Sequence, residues 1–148
     1  MTDLDLTINR VFDAPRELVF EAWTNPDHLA KWWGPTGFTG ESCTVKLAEG
    51  GRWRFCMRNS ETGVEHWAHG VYHEVKRPER LVFSFAWEEP HGSSGHDTLV
   101  TITFDDRDGK TEMTFHQAIF ETVEDRVGHE GGWRETFDDL TTYLKEIR

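Results

Sequence analysis

Positive charge is what this sequence has least of. Lys and Arg number 16 against 27 Asp and Glu, which gives the 148-residue chain a formal net charge of −11. Neutralising phosphate takes a surplus of Lys and Arg, so this balance disfavours nucleic acid and anionic membrane surfaces as partners. Long apolar runs are missing too. No stretch approaches the roughly 20 apolar residues of a membrane helix, and the opening MTDLDLTINR lacks a basic-then-apolar signal segment. Cysteine is scarce: Cys43 and Cys56 are the two present, outside any C-x-x-C spacing. They read as free thiols in a reducing cytoplasm. Catalytic signatures are thin as well. There is no G-x-S-x-G elbow, and His129-Glu130 lacks the second histidine of an H-E-x-x-H site.

Aromatic residues are abundant instead, at 13% with seven Trp. A Trp-rich core and a cavity lining both accommodate them, and composition leaves the two open. The length suits one domain, residues 1–148, with a sizeable core. A β-branched-rich stretch over about residues 4–13 predicts the first strand. Pro15 then suits a first helical turn, with Glu17 near the positive end of the dipole. Leu18, Val19, Ala22 and Trp23 give that helix one buried stripe. Asn25-Pro26 ends it and caps a second short helix, whose apolar face is Leu29, Trp32 and Trp33.

Beyond Gly37 the pattern changes to period two. Trp53, Phe55 and Met57 alternate with arginines. Leu81, Phe83, Phe85 and Trp87 repeat the alternation, as do Val100, Ile102 and Phe104, then Met113 and Phe115. Turn residues separate the runs at Glu49 to Gly51, Ser60 to Gly63, Arg77 to Glu79, Pro90 to Gly95, and Asp108-Gly109. Six strands in succession make an antiparallel meander, so the class is α+β. The chain closes on an amphipathic helix carrying Trp133, Phe137, Leu140, Leu144 and Ile147 on one face, begun by a capping-box-like Thr122 and Asp125. Gly128, Gly131 and Gly132 interrupt it at about 1 kcal/mol each. They predict either a break, a close crossing of the sheet, or room left for a ligand.

These segments resemble the activator-of-heat-shock-ninety-ATPase-like (AHSA-type) branch of the SRPBCC superfamily, which shares the START and birch-pollen-allergen helix-grip fold. The matching pieces are VFDAPRELVFEAWTNPDHLAKWWGP (11–35), GGRWRF (50–55), GVYHEV (70–75), PERLVFSF (78–85) and GW (132–133), in the expected order. The resemblance implies a curved, seven-stranded antiparallel sheet around a long C-terminal helix, with two short helices after the first strand. It also implies relatives of several kinds, namely lipid binders, polyketide cyclases and aromatases, ring-hydroxylase components and a co-chaperone, and among cavity enzymes the cyclase or hydrolase kind.

A hollow between sheet and helix is the expected site. Its expected lining is Phe55, Met57, Trp67, His69, Phe83, Phe85, Trp87, Met113, Phe115 and Trp133, with Trp32 and Trp33 near the mouth. His69 alternates with Trp67, Val71 and Val75 on the more apolar face of its strand, which makes it the best titratable candidate. Tyr72, Glu74 and His66 would take its place if the strand faces were reversed. Metal binding is not expected: His66 and His69 point to opposite faces, while His69 and His73 stand ~13 Å apart along one. Arg52, Arg54 and Arg58 read as a solvated outer face. The expected function is binding of a small apolar or aromatic molecule without a cofactor. A cavity enzyme and a chaperone-interaction module are the alternatives, and a homodimer stays open.

Overall fold

The computed structural model describes residues 4–88 and 95–147, so the expected turn from Pro90 to Gly95 lies almost wholly outside the described residues. The elements run β1 (Leu6–Phe12), α1 (Arg16–Thr24), α2 (Pro26–Trp32), β2 (Phe38–Val45), β3 (Arg52–Asn59), β4 (Glu65–Lys76), β5 (Arg80–Trp87), β6 (Thr98–Arg107), β7 (Lys110–Ala118) and α3 (Val123–Ile147). All seven strands form one antiparallel sheet in the order β1-β7-β6-β5-β4-β3-β2. The meander and its class are therefore as the period-two runs predict.

Local chemistry accounts for the joints. Asn25 Oδ1 accepts the Asp27 amide at 2.9 Å and caps α2. Asp108 and Gly109 take φ of 56° and 88° between the paired Arg107 and Lys110, the left-handed geometry of a two-residue hairpin. Thr122 Oγ1 accepts the Asp125 amide at 3.0 Å at the start of α3. That helix runs unbroken through Gly128, Gly131 and Gly132, so of the three alternatives the break is not there. Glu130 bonds Arg126 at 2.9 Å and Arg134 at 3.1 Å, an i, i+4 ladder that spans the three glycines.

The core fills the concave side of the sheet. Trp23 sits at its centre, edge-on to Trp32 at 4.8 Å and Phe137 at 5.9 Å, and stacked on Phe115 at 6.1 Å. Phe137, Leu140 and Leu144 of α3 are buried against it. A buried hydrogen-bond chain crosses the same space. Trp133 Nε1 donates to Gln117 Oε1 (2.8 Å), Gln117 Nε2 to Thr98 Oγ1 (2.9 Å), and Thr98 Oγ1 to the Phe85 carbonyl (2.8 Å). Each polar group of this Trp133–Gln117–Thr98 relay is paired, as burial requires; the Trp23 indole N–H beside it is buried without a partner.

Strand β4 corrects one expectation. Ala68, Gly70 and Tyr72 face the core, while Trp67, His69 and Val71 face outwards. Small residues lie inside because β3 covers them: the Trp53 indole passes over Gly70 and donates to the Ser84 carbonyl on β5 at 3.2 Å. A Cβ on Gly70 would stand 2.5 Å from that indole nitrogen and closer still to Ser84. A bulge between Tyr72 and Glu74 then switches the faces, so Val75 turns in and Glu74 turns out to Arg80 at 3.2 Å.

Candidate functional site

The hollow is open at one end of the sheet and filled at the other. Where the N-terminal half of α3 passes the ends of β3 and β5, a cavity of about 340 Å³ remains, within the size range of ligand pockets. Its walls are aromatic: Trp33 and Phe38 from the α2–β2 side, Phe85 and Trp87 from β5, Trp133 from α3. Met57 and Pro35 complete the apolar lining, and α3 adds Glu124, Asp125, Gly128, His129, Gly132 and Thr136. A second hollow of about 160 Å³ shares Phe85, Trp87, Asp125 and His129 and continues past Phe120 to His96 and Thr98.

Gly128 and Gly132 stand one turn apart on the cavity side of the helix. A Cβ at either position would meet nothing within 4 Å, so packing does not require glycine there. Of the alternatives the sequence left open, room beside the helix is the one the geometry favours.

His129 is held in one tautomer. An indole N–H only donates, so Trp87 Nε1 at 2.9 Å makes His129 Nε2 an acceptor; Nδ1 then carries the proton and donates to the Asp125 carbonyl at 2.8 Å. Thr136 Oγ1 donates to the Gly132 carbonyl at 2.8 Å.

Of the residues expected to line the hollow, Trp33, Met57, Phe85, Trp87 and Trp133 do so. Trp32, Met113 and Phe115 are packed into the filled core instead. Phe55 and Phe83 border, with Trp23 and Tyr72, a void of about 10 Å³, no larger than one water. Trp67 and His69 are on the convex face, which corrects their placement. There the Arg54 guanidinium lies 3.9 Å over the Trp67 ring and makes two 2.7 Å bonds to Glu88, which His69 Nδ1 reaches at 3.1 Å. Arg54, bonded to it, holds the Glu88 carboxyl down at about 2, with His69 adding to the effect.

Tyr72 and Glu74 do not converge. Tyr72 does face inwards, but it packs on Phe83 at 5.9 Å and burial raises its pKa above the ordinary phenol value, while Glu74 is on the opposite face. Burial pushes the Cys43 thiol up to about 12 and raises Cys56 as well, the reverse of what a nucleophile needs. Among the described residues no three His, Cys, Asp or Glu side chains cluster as a metal ion would require. None of the described helices is long and apolar enough to cross a membrane.

Beyond Trp133 and the glycines, the α3 lining (Glu124, Asp125, His129 and Thr136) escaped the sequence reading, although one signal pointed to part of it. Continuing the Trp133 stripe backwards in steps of four gives His129 and Asp125, both of which line the cavity.

The family model described as Activator of Hsp90 ATPase homolog 1-like protein matches residues 13–145. Among similar solved structures, a protein from Nitrosomonas europaea is 25% identical, the match covering 99% of this chain and 97% of that one, with a TM-score of 0.83. A solution structure from Arthrobacter aurescens is 25% identical over 97% of this chain and 87% of its own, with a TM-score of 0.87. An AHSA1 protein from Silicibacter pomeroyi is 24% identical over 97% and 99%, with a TM-score of 0.86. No curated protein matches the chain.

Proposed function

We propose that this chain, which belongs to the Activator of Hsp90 ATPase homolog 1-like family, binds a small apolar or aromatic molecule in the cavity beside the N-terminal half of α3. The fold and family together suggest a ligand-binding or chaperone-related module. The observation that carries the ligand-binding reading is the pair Gly128 and Gly132. They cost the helix stability, touch nothing across the gap, and border an aromatic-walled space of about 340 Å³. Binding is favoured over catalysis because Tyr72 and Glu74 do not converge and His129 already has both ring nitrogens engaged. The two free thiols suit the cytoplasm.

The test is native mass spectrometry of freshly purified protein, followed by tryptophan fluorescence titration with fatty acids, steroids and flavonoid-like aromatics. A saturable change that Gly128→Leu abolishes supports the reading. No saturable change across the panel overturns it. The family description also favours a chaperone-related role exercised through the surface. An increase in the ATPase rate of an Hsp90-type chaperone, unaffected by Gly128→Leu, is its distinguishing result.

A further inference from the structure

We propose that the cavity selects organic cations, small molecules that join an aromatic or apolar body to a substituted ammonium group. This rests on the ligand-binding reading above and adds the charge of the ligand to it.

The described walls offer aromatic surface and negative charge. Their only carboxylates are Glu124 and Asp125, and no Lys or Arg is among them. Most side-chain hydrogen-bond donors of the described walls are spent, the Trp33 indole N–H being the exception. Trp87 gives its N–H to His129, Trp133 to Gln117, and Thr136 its hydroxyl proton to Gly132. His129 adds none, because its single ring proton goes to the Asp125 carbonyl and its other nitrogen accepts from Trp87. An anionic ligand would meet like charge and few donors. A cation would meet indole and phenyl surfaces, whose faces are negative, and carboxylates beside them.

The positive end of α3 opposes this, but only with about half an elementary charge. Two carboxylates exceed it, and Thr122 already takes the amide of Asp125 at 3.0 Å. The overall charge of −11 draws cations towards the surface in the same sense.

Three probes with one benzyl body separate the possibilities: benzyltrimethylammonium, its uncharged isostere neopentylbenzene, and phenylmethanesulfonate. Each is titrated by tryptophan fluorescence and by calorimetry into the wild-type chain, into Glu124→Gln/Asp125→Asn, and into Gly128→Leu. The cation should bind roughly tenfold more tightly than the neutral probe, within the span of cation–π and partly desolvated ion-pair energies, and the anion most weakly. The double substitution should reduce the cation's advantage several-fold without loss of the neutral probe's affinity. Neutral binding as tight as the cation's overturns the charge preference and leaves cavity binding standing. Cation binding that survives Gly128→Leu is adsorption to the acidic surface and overturns the proposal. Failure of all three probes to bind overturns the proposal together with the cavity reading.

Discussion

The two halves of α3 face the same sheet and are built to opposite ends. The C-terminal half presents Phe137, Leu140 and Leu144, each at 3% exposure or less, to a core without room to spare. The N-terminal half presents Gly128, His129 and Gly132, and leaves a space of about 340 Å³ against Phe85 and Trp87. One half maximises buried apolar surface. The other gives up helix propensity, about 1 kcal/mol per glycine, for volume. In a domain whose whole stability is on the order of 5–15 kcal/mol, that is a measurable sacrifice, and it falls on the face turned towards Phe85 and Trp87 of β5. The difference separates the residues that fill the core from those that border the cavity.

The contrast breaks first if the filled half proves soft. Phe137 contacts Trp23, Phe115 and Trp133, with ring centroids 5.2–5.9 Å apart. Phe137→Ala should cost about 3–5 kcal/mol, the range for a fully buried Phe. Urea denaturation reads it directly, and a loss below 1 kcal/mol would mean that this half also tolerates empty space. Gly70→Ala is the next largest. Its Cβ would collide with the Ser84 backbone and the Trp53 indole, and overpacking of that kind costs about 1–3 kcal/mol. A neutral result would show that Trp53 does not cross β4 as described.

Gly70 also explains what the sequence could and could not say. Period-two patterning identified the meander because most strands put large apolar residues inside. Asp108-Gly109 and Asn25 were legible because their turn and cap chemistry is local. Strand β4 breaks the pattern: its inner face holds Ala68 and Gly70, with space taken by Trp53 from the neighbouring strand, and a bulge at Tyr72–Glu74 reverses the alternation midway. Nothing in residues 65–76 taken alone reports either event. For the same reason residue type could not divide the aromatics. Phe115 and Phe85 look alike in a strand, yet one is under the packed half of α3 and the other under the open half. That division depends on which residues of α3 stand opposite, and His129 became legible as lining only with the helix in place.

The wall of the open half is also braced from outside. Glu88 follows Trp87 and is clamped by Arg54 and His69 on the convex face. Its carboxyl titrates at about 2 instead of the ordinary 4.5. The sign follows from the depression: the stabilisation is complete above pH 4.5 and is lost as pH falls towards 2. Arg54 stands half in water, which screens the pair, so Glu88→Gln should cost about 1–2 kcal/mol at pH 7. Denaturation of wild type and variant should converge near pH 2. A gap that persists there would assign the effect to packing and not to charge.

The smallest effect tests the comparison most sharply, because its two readouts should move in opposite directions. Gly128 and Gly132 border the cavity, whereas Gly131, in the same helix, does not, and a Cβ at any of the three meets nothing within 4 Å. Alanine should therefore stabilise the protein at all three positions, by up to about 1 kcal/mol each. Binding of an aromatic probe should weaken for Gly128→Ala and Gly132→Ala, where the methyl enters the ligand's space, and stay unchanged for Gly131→Ala. Thermal melts and fluorescence titration of the three variants separate the outcomes. Stabilisation without loss of affinity at 128 and 132 would mean that the glycines do not reserve that space. Destabilisation at these two but not at 131 would place them in a contact absent from the structure, and the open half would then be a packing surface after all.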